Sequence, residues 1–167
     1  EALPLLLTLS SGVKGYTTIH AGSARQALTR LRFICQLADT ANELPMSALS
    51  SLVSEAVDVV VHCSRVAGSP RITEIIAVEE PQTGPDAVQF TATELFSRPR
   101  PEEALTWTGN LPLRTGRALE EAGYDVHELL EGGGKRVRTV RAVPAADEPA
   151  APSPRPAARR TRKRATP

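Results

Sequence analysis

The sequence predicts an α/β fold whose chain ends in antiparallel hairpins, and two observations lead to this class. The first is a β-rich run, Gly15–His20, which precedes apolar residues at the spacing of an amphipathic helix. The second is a set of three β-rich runs separated by turn residues, which is typical of a meander. Because a strand–loop–helix unit is typical of a parallel sheet, we expect Gly15–His20 to belong to one.

The N-terminal elements follow from local signals. Glu1–Gly12 is short and apolar, and it predicts the last turns of a helix with Pro4 in its first turn and Gly12 as its stop. A chain that opens inside a helix is expected to be a fragment of something longer. Ser23 is the candidate N-cap of the next helix. The apolar stripe of that helix comprises Ala27, Leu28, Leu31, Ile34, Cys35 and Ala38.

The remaining elements are marked by β-branched runs and by turn residues. Leu49, Leu52, Val53 and Ala56 indicate a further helix. The three strands of the predicted meander are Asp58–Arg65, Arg71–Glu80 and Ala87–Phe96. After a linker at 98–101, short helices are expected at 113–122 and 126–130.

Composition and charge restrict the class of protein. No run reaches the roughly 18 apolar residues that a membrane helix needs. Two cysteines exclude a disulfide scaffold and a four-cysteine zinc site, and they fit a reduced, cytoplasmic setting. Residues 1–131 hold 10 basic and 17 acidic residues, whereas residues 132–167 hold 10 basic and 2 acidic ones. The net charge of +1 therefore combines an acidic body with a basic, Pro/Ala/Arg-rich tail, which we expect to be disordered.

The residue with the strongest chemical signal is His20. It lies at the end of a predicted strand and before a helix N-terminus, with the hydroxyls of Thr18 and Ser23 nearby. Ligands of open α/β sheets bind beyond the carboxyl ends of strands, and a helix N-terminus offers unpaired N–H groups to an anion. The imidazole could contact a phosphate oxygen there. The alternative is a histidine satisfied by local hydrogen bonds.

Several segments, taken in order, resemble a known family. Residues 12–31 read GVKGYTTIHAGSARQALTRL, and residues 55–78 read EAVDVVVHCSRVAGSPRITEIIAV. The first segment resembles the histidine box of the bacterial type II/type IV secretion ATPases, in particular the CpaF-like branch of Flp/Tad pilus assembly. The second resembles a strand and hairpin of the same family. The positions that match the histidine box are Gly15, Thr18, His20, Ala21, Ser23, Ala27, Arg30 and Leu31. The likeness covers roughly 1–96.

The resemblance implies the C-terminal half of a RecA-like P-loop ATPase domain at 1–96. A linker with a short helical extension follows at 97–131, and the basic tail occupies 132–167. ATP and Mg²⁺ are the implied ligands of the full-length parent. The 167 residues contain no Walker A motif, Gly-x-x-x-x-Gly-Lys-(Ser/Thr), and the Walker B acids would precede Glu1. The fragment is therefore expected to be inactive alone. Gly22 also departs from the Asn of the branch.

The resemblance also assigns roles to individual residues. It implies that His20 contacts the γ-phosphate and senses the state of the nucleotide, with Thr18 and Ser23 supporting the loop. Arg25, Arg30 and Arg32 would face a neighbouring subunit, and Arg25 and Arg30 are also implied to contact the nucleotide. The alternative for all three is local pairing or solvation. The implied assembly is a homohexamer in the cytoplasm, peripheral to the inner membrane and docked on platform proteins of a pilus or secretion machine.

The tail and the remaining polar residues leave a second function class open. Residues 159–164 carry five positive charges, which predicts salt-sensitive contact with nucleic acid or with anionic lipid. A non-enzymatic adaptor or degenerate paralogue that uses this tail is the alternative to the motor. Cys35 and Cys63 are expected in the core and His62 in a structural role. The pair Glu79–Glu80 is expected to face solvent.

Overall fold

The computed structural model describes residues 2–37, 44–81 and 88–132. Contacts divide the chain into two units, 1–135 and 136–167, and the described residues all belong to the first. The predictions for residues 133–167 therefore lie outside the described residues. In chain order the elements are α1 (Ala2–Ser10), α2 (Ala24–Gln36), α3 (Met46–Ala56), β1 (Val59–Val66), β2 (Ser69–Val78), β3 (Ala92–Ser97), β4 (Thr106–Trp107), α4 (Arg114–Glu121) and α5 (Val126–Glu131).

The four strands form one antiparallel sheet in the order β1-β2-β3-β4. β1 and β2 are joined by the two-residue turn at Ala67 and Gly68, and the pairing of Val66 with Ser69 closes the hairpin. The register shifts between His62 and Cys63, where a β-bulge interrupts the ladder. The predicted meander is therefore present, and β4 adds a fourth strand from the segment expected as a linker and helical extension.

The core lies between the three N-terminal helices and one face of the sheet. α1 packs on α3, and α2 packs on α3 and on the first two strands. Apolar residues recur every three or four positions along α2 and α3, so one stripe of each is buried. Leu7 of α1 and Phe33 of α2 are apolar side chains that stay exposed. The core cluster comprises Leu3, Leu6, Ala24, Leu28, Leu31, Cys35, Leu49, Val53, Ile76 and Val78.

The predicted strand at Gly15–His20 is wrong. Residues 13–21 form no helix or strand, and the Tyr16 side chain is fully exposed. A strand needs a neighbour to pair its backbone groups and a face to bury. The strands within the described ranges pair only with one another and run antiparallel, so this segment has no partner among them.

Two burial predictions are also wrong. Cys63 is exposed because it lies on the outer face of the edge strand β1, away from the helices. Glu79 is buried, with 4% of its surface exposed, because the start of α4 folds over the end of β2 and donates hydrogen bonds to its carboxylate. Glu80, by contrast, is exposed as expected. None of the helices within the described ranges is long and apolar enough to cross a membrane.

Candidate functional site

The candidate site is the turn Ala21–Ala24, which joins the exposed segment containing His20 to the N-terminus of α2. Ser23 caps the helix as predicted, because its side chain accepts a hydrogen bond from the Gln26 N–H at 3.2 Å. Ala24, the first residue of the helix, is fully buried in the core. The turn is therefore anchored at its C-terminal end by both a cap and apolar packing.

His20 itself is exposed. Its ring makes no hydrogen bond with the part of the chain that the structure describes, so the imidazole is available to a group from outside these residues. Thr18 is likewise exposed, whereas Ser23 is half-buried by its capping role. Of the three residues, only Ser23 therefore has a defined contact in the structure.

The arginines of α2 point in different directions. The Arg25 Nη2 donates to the backbone oxygen of Ala92 at 2.8 Å, so this guanidinium contacts the start of β3 in its own chain. Arg30 is exposed and lines an open groove of about 420 Å³ beside α2, together with Gly22, Phe33 and Met46. Both arginines are exposed, but only Arg25 makes a hydrogen bond within the described residues.

Arg32 lines the same groove as Arg30, but its guanidinium is bound to other parts of the chain. Its guanidinium donates to the Ser50 hydroxyl at 2.9 Å and to the backbone oxygen of Val88, and it stacks over the Phe90 ring at 5.2 Å. Burial lowers the pKa of Arg32 from its ordinary value. These contacts give Arg32 a structural role and agree with the local alternative to an intersubunit contact.

Two residues of the β1–β2 hairpin reach the candidate turn, and neither was predicted for the site. The Nε2 of His62 lies 3.3 Å from the backbone oxygen of Ala21, and the Oε2 of Glu74 accepts the Ala24 N–H at 3.0 Å. These partners are 41 and 50 residues away in sequence. Because no local pattern records so distant a contact, the sequence could only suggest that His62 is structural. The Glu74 carboxylate also takes one of the N–H groups that we expected to be open to an anion.

A Mg²⁺-ATP site would use two features, ligands for the metal ion and a cradle for the phosphates. Within 2–37, 44–81 and 88–132, no group of three or more His, Cys, Asp and Glu side chains is placed to hold a metal ion. The 167 residues also lack the glycine-rich cradle that binds nucleotide phosphates.

Curated proteins similar to this chain come from type IV secretion systems. The type IV secretion system protein PtlH of Bordetella pertussis is 41% identical over 69 residues, as are the PtlH homologs of Bordetella parapertussis and Bordetella bronchiseptica. The matched stretch is 41% of this chain but 20% of each relative, so the chain spans about a fifth of their length. No family model matches, and no solved structure is significantly similar. The chain is thus related in part to type IV secretion proteins.

Proposed function

We propose that this chain is part of an ATP-hydrolysing motor of a type IV or related secretion or pilus-assembly system. The observation that carries the proposal is the 69-residue similarity to proteins of type IV secretion systems. The ordered likeness of residues 1–96 to the CpaF-like ATPases makes the proposal more specific. In this proposal the segment is the C-terminal half of a RecA-like domain.

The exposed ring of His20, which makes no hydrogen bond within the described ranges, supports a role in contacting a γ-phosphate that other segments of the motor hold. Its position immediately before the anchored turn is suited to reporting a change at the phosphate to α2. ATP, Mg²⁺, a homohexameric ring and an inner-membrane platform belong to the proposal through the resemblance alone.

The first test is a comparison of two proteins. The chain alone is expected to hydrolyse no ATP, whereas a chain that also contains in-frame Walker A and Walker B segments is expected to do so. In the longer protein, His20→Ala should lower turnover by about 10²-fold or more, the usual contribution of a positioned polar group near a reacting phosphate. The oligomer should stay intact on a sizing column.

His127→Ala is the matched control, because His127 is an exposed histidine on α5, outside the region of likeness. Its ATP turnover should equal that of the unmodified protein. Equal turnover in the His20 and His127 variants would remove His20 from the proposal. If no form of the protein contains Walker A and Walker B segments, the proposed motor function is wrong.

The alternative, a non-enzymatic adaptor, is favoured by the charge of residues 132–167, which hold 10 basic and 2 acidic residues. An adaptor of this kind would bind phosphatidylglycerol vesicles or duplex DNA with an affinity that falls steeply with salt. Replacing the five basic residues of 159–164 by Gln should abolish such binding. Retention of binding after that replacement would argue against a tail-based adaptor.

A further inference from the structure

The turn that follows His20 is held at both ends by side chains of the β1–β2 hairpin. At one end, the Ala21 oxygen lies 3.3 Å from Nε2 of His62. At the other end, the Ala24 N–H donates to Oε2 of Glu74 at 3.0 Å. The two hairpin residues face each other across the ladder, since His62 pairs with Glu74 in the β1–β2 register. Their spacing is therefore set by the sheet and not by the turn.

The donor and acceptor roles of the His62 ring follow from its partners. A backbone oxygen only accepts, so the Ala21 contact requires a proton on Nε2. The Nδ1 atom is 2.9 Å from the Thr73 hydroxyl, which also lies 3.3 Å from the His62 backbone oxygen. The hydroxyl has one proton, so it donates to Nδ1 in the Nε2–H neutral form, and it accepts from Nδ1 and donates to the backbone oxygen when the ring is doubly protonated. Both the Nε2–H neutral form and the doubly protonated ring keep the proton that Ala21 needs. The contact with the turn is therefore available in either charge state.

The two ring nitrogens of His62 contact different parts of the fold. Nδ1 serves the hairpin through Thr73, while Nε2 serves the turn through Ala21. A residue that only stabilised the hairpin would need the first contact and not the second. The Nε2 contact therefore points to a role outside the hairpin.

We propose that His62 and Glu74 are positioning residues that fix the Ala21–Ala24 turn. They thereby fix the orientation of the adjoining residue, His20. We call the contacts of His62 with Ala21 and of Glu74 with Ala24 the clamp. A role of the clamp in phosphate sensing rests on the proposed function. The clamp itself is a property of the described residues. A displacement of the turn would move His62 and Glu74, and it would therefore act on the paired strands β1 and β2 on which these residues lie.

The test uses the complete chain and two pairs of matched variants. His62→Gln places an amide near the Nε2 position and keeps a donor for Ala21, whereas His62→Asn reaches only the Nδ1 position. Glu74→Gln keeps an oxygen acceptor for the Ala24 N–H, whereas Glu74→Ala removes it. Within each pair, the conservative variant should rescue what the shorter one loses.

The readouts are hydrogen exchange of the Ala24 amide and ¹⁵N relaxation of residues 20–23. Glu74→Ala should speed Ala24 exchange about tenfold, as expected for the loss of one hydrogen bond, and Glu74→Gln should change it little. His62→Asn should lower the order parameters of residues 20–23 from about 0.85 towards 0.6, and His62→Gln should not. The amides of Ile76 and Ala77, on the central strand β2 and paired with both neighbouring strands, report that the sheet remains folded.

A measurement on the unmodified chain keeps the proposal falsifiable even if a variant fails to fold. Long-range ¹H–¹⁵N spectra of neutral His62 should show the proton on Nε2, and a proton on Nδ1 would overturn the clamp. Equal order parameters in the Gln and Asn variants of His62, or unchanged Ala24 exchange in Glu74→Ala, would overturn it as well. None of these readouts involves ATP, so the clamp can fail or stand independently of the motor.

Discussion

At the scale of single residues, the fold tolerates a buried carboxylate because three donors surround it. Glu79 accepts hydrogen bonds from the Thr93 hydroxyl at 2.7 Å and from the Leu113 and Arg114 N–H groups at 3.1 and 2.9 Å. The last two donors belong to the N-terminus of α4, where a negative charge is favourable. Burial without these partners would destabilise the protein.

The pair Glu79 and Glu80 offers a direct test of this arrangement. Glu79→Ala should lower the free energy of unfolding by about 1–3 kcal/mol, because it leaves the N–H groups of Leu113 and Arg114, which are part-buried, without their acceptor. Glu80→Ala changes an exposed neighbour and should stay within about 0.5 kcal/mol of the unmodified protein. Urea unfolding of the two variants measures the difference. Equal midpoints would show that the Glu79 contacts contribute nothing to stability.

The two cysteines should differ sharply in reactivity. Cys35 is fully buried, and burial raises the pKa of its thiol, whereas Cys63 is exposed on β1. Because the thiolate is the reactive form, a thiol reagent should modify Cys63 in the native protein and Cys35 only after unfolding. Mass spectrometry of the labelled chain identifies the site. Rapid native labelling in a Cys63→Ser variant would contradict the burial of Cys35.

The raised pKa of the Cys35 thiol also predicts a dependence of stability on pH. The neutral thiol is favoured in the folded state, so its contribution is complete below the unfolded pKa of about 8.5 and is lost as pH rises through the higher folded value. The free energy of unfolding should therefore fall less between pH 8 and about 10 in Cys35→Ala than in Cys63→Ala. Parallel pH profiles for the two variants would refute this assignment.

At the scale of elements, the sequence predicted what depends on neighbours along the chain. The Ser23 cap and the β1–β2 hairpin each arise from residues a few positions apart, and both are present. Of the predicted apolar stripe, Ala27, Leu28, Leu31 and Cys35 are buried, whereas Ile34 is exposed and Ala38 lies outside the described residues. The prediction of a strand at Gly15–His20 was wrong because a β-rich composition does not supply a pairing partner. The clamp on the turn and the burial of Glu79 were missed because their partners lie 14 to 50 residues away.

The β1–β2 turn carries a local strain that one substitution should relieve. Ala67 and Gly68 have φ values of +48° and +81°, as a type I′ turn requires, and alanine disfavours this conformation. Ala67→Asn should raise the free energy of unfolding by about 1 kcal/mol, because asparagine adopts positive φ more readily. Thermal unfolding of the variant measures the gain.

Gly68→Ala is the opposing control for that turn. No atom lies within 4 Å of a Cβ built at Gly68, so a loss of stability in this variant comes from the backbone conformation alone. It should cost about 1 kcal/mol. A stabilised Gly68→Ala variant, or a destabilised Ala67→Asn variant, would contradict the assigned turn.

At the scale of the whole molecule, residues 97–132 are joined to the body by two reciprocal helix caps. Glu79, from the body, accepts hydrogen bonds at the N-terminus of α4. Arg114, from α4, donates to the backbone oxygens of Ser54 and Val57 at the C-terminus of α3 and pairs with Asp58 at 3.2 Å. Each charge matches the dipole of the helix end that it meets. The two parts should therefore unfold together.

The single tryptophan, Trp107 on β4, makes this coupling measurable. In urea, its fluorescence should change at the same midpoint as the far-ultraviolet circular dichroism, which is dominated by the longer helices of the body. Arg114→Met should lower the free energy of unfolding by about 2 kcal/mol, since it leaves the α3 carbonyls without their charged donor. Both urea midpoints should fall together. Arg117 is an exposed arginine on the same helix, and Arg117→Met should change the free energy of unfolding by no more than about 0.5 kcal/mol. An earlier fluorescence transition in the unmodified protein would mean that residues 97–132 open independently, and the paired caps would then not couple the two parts.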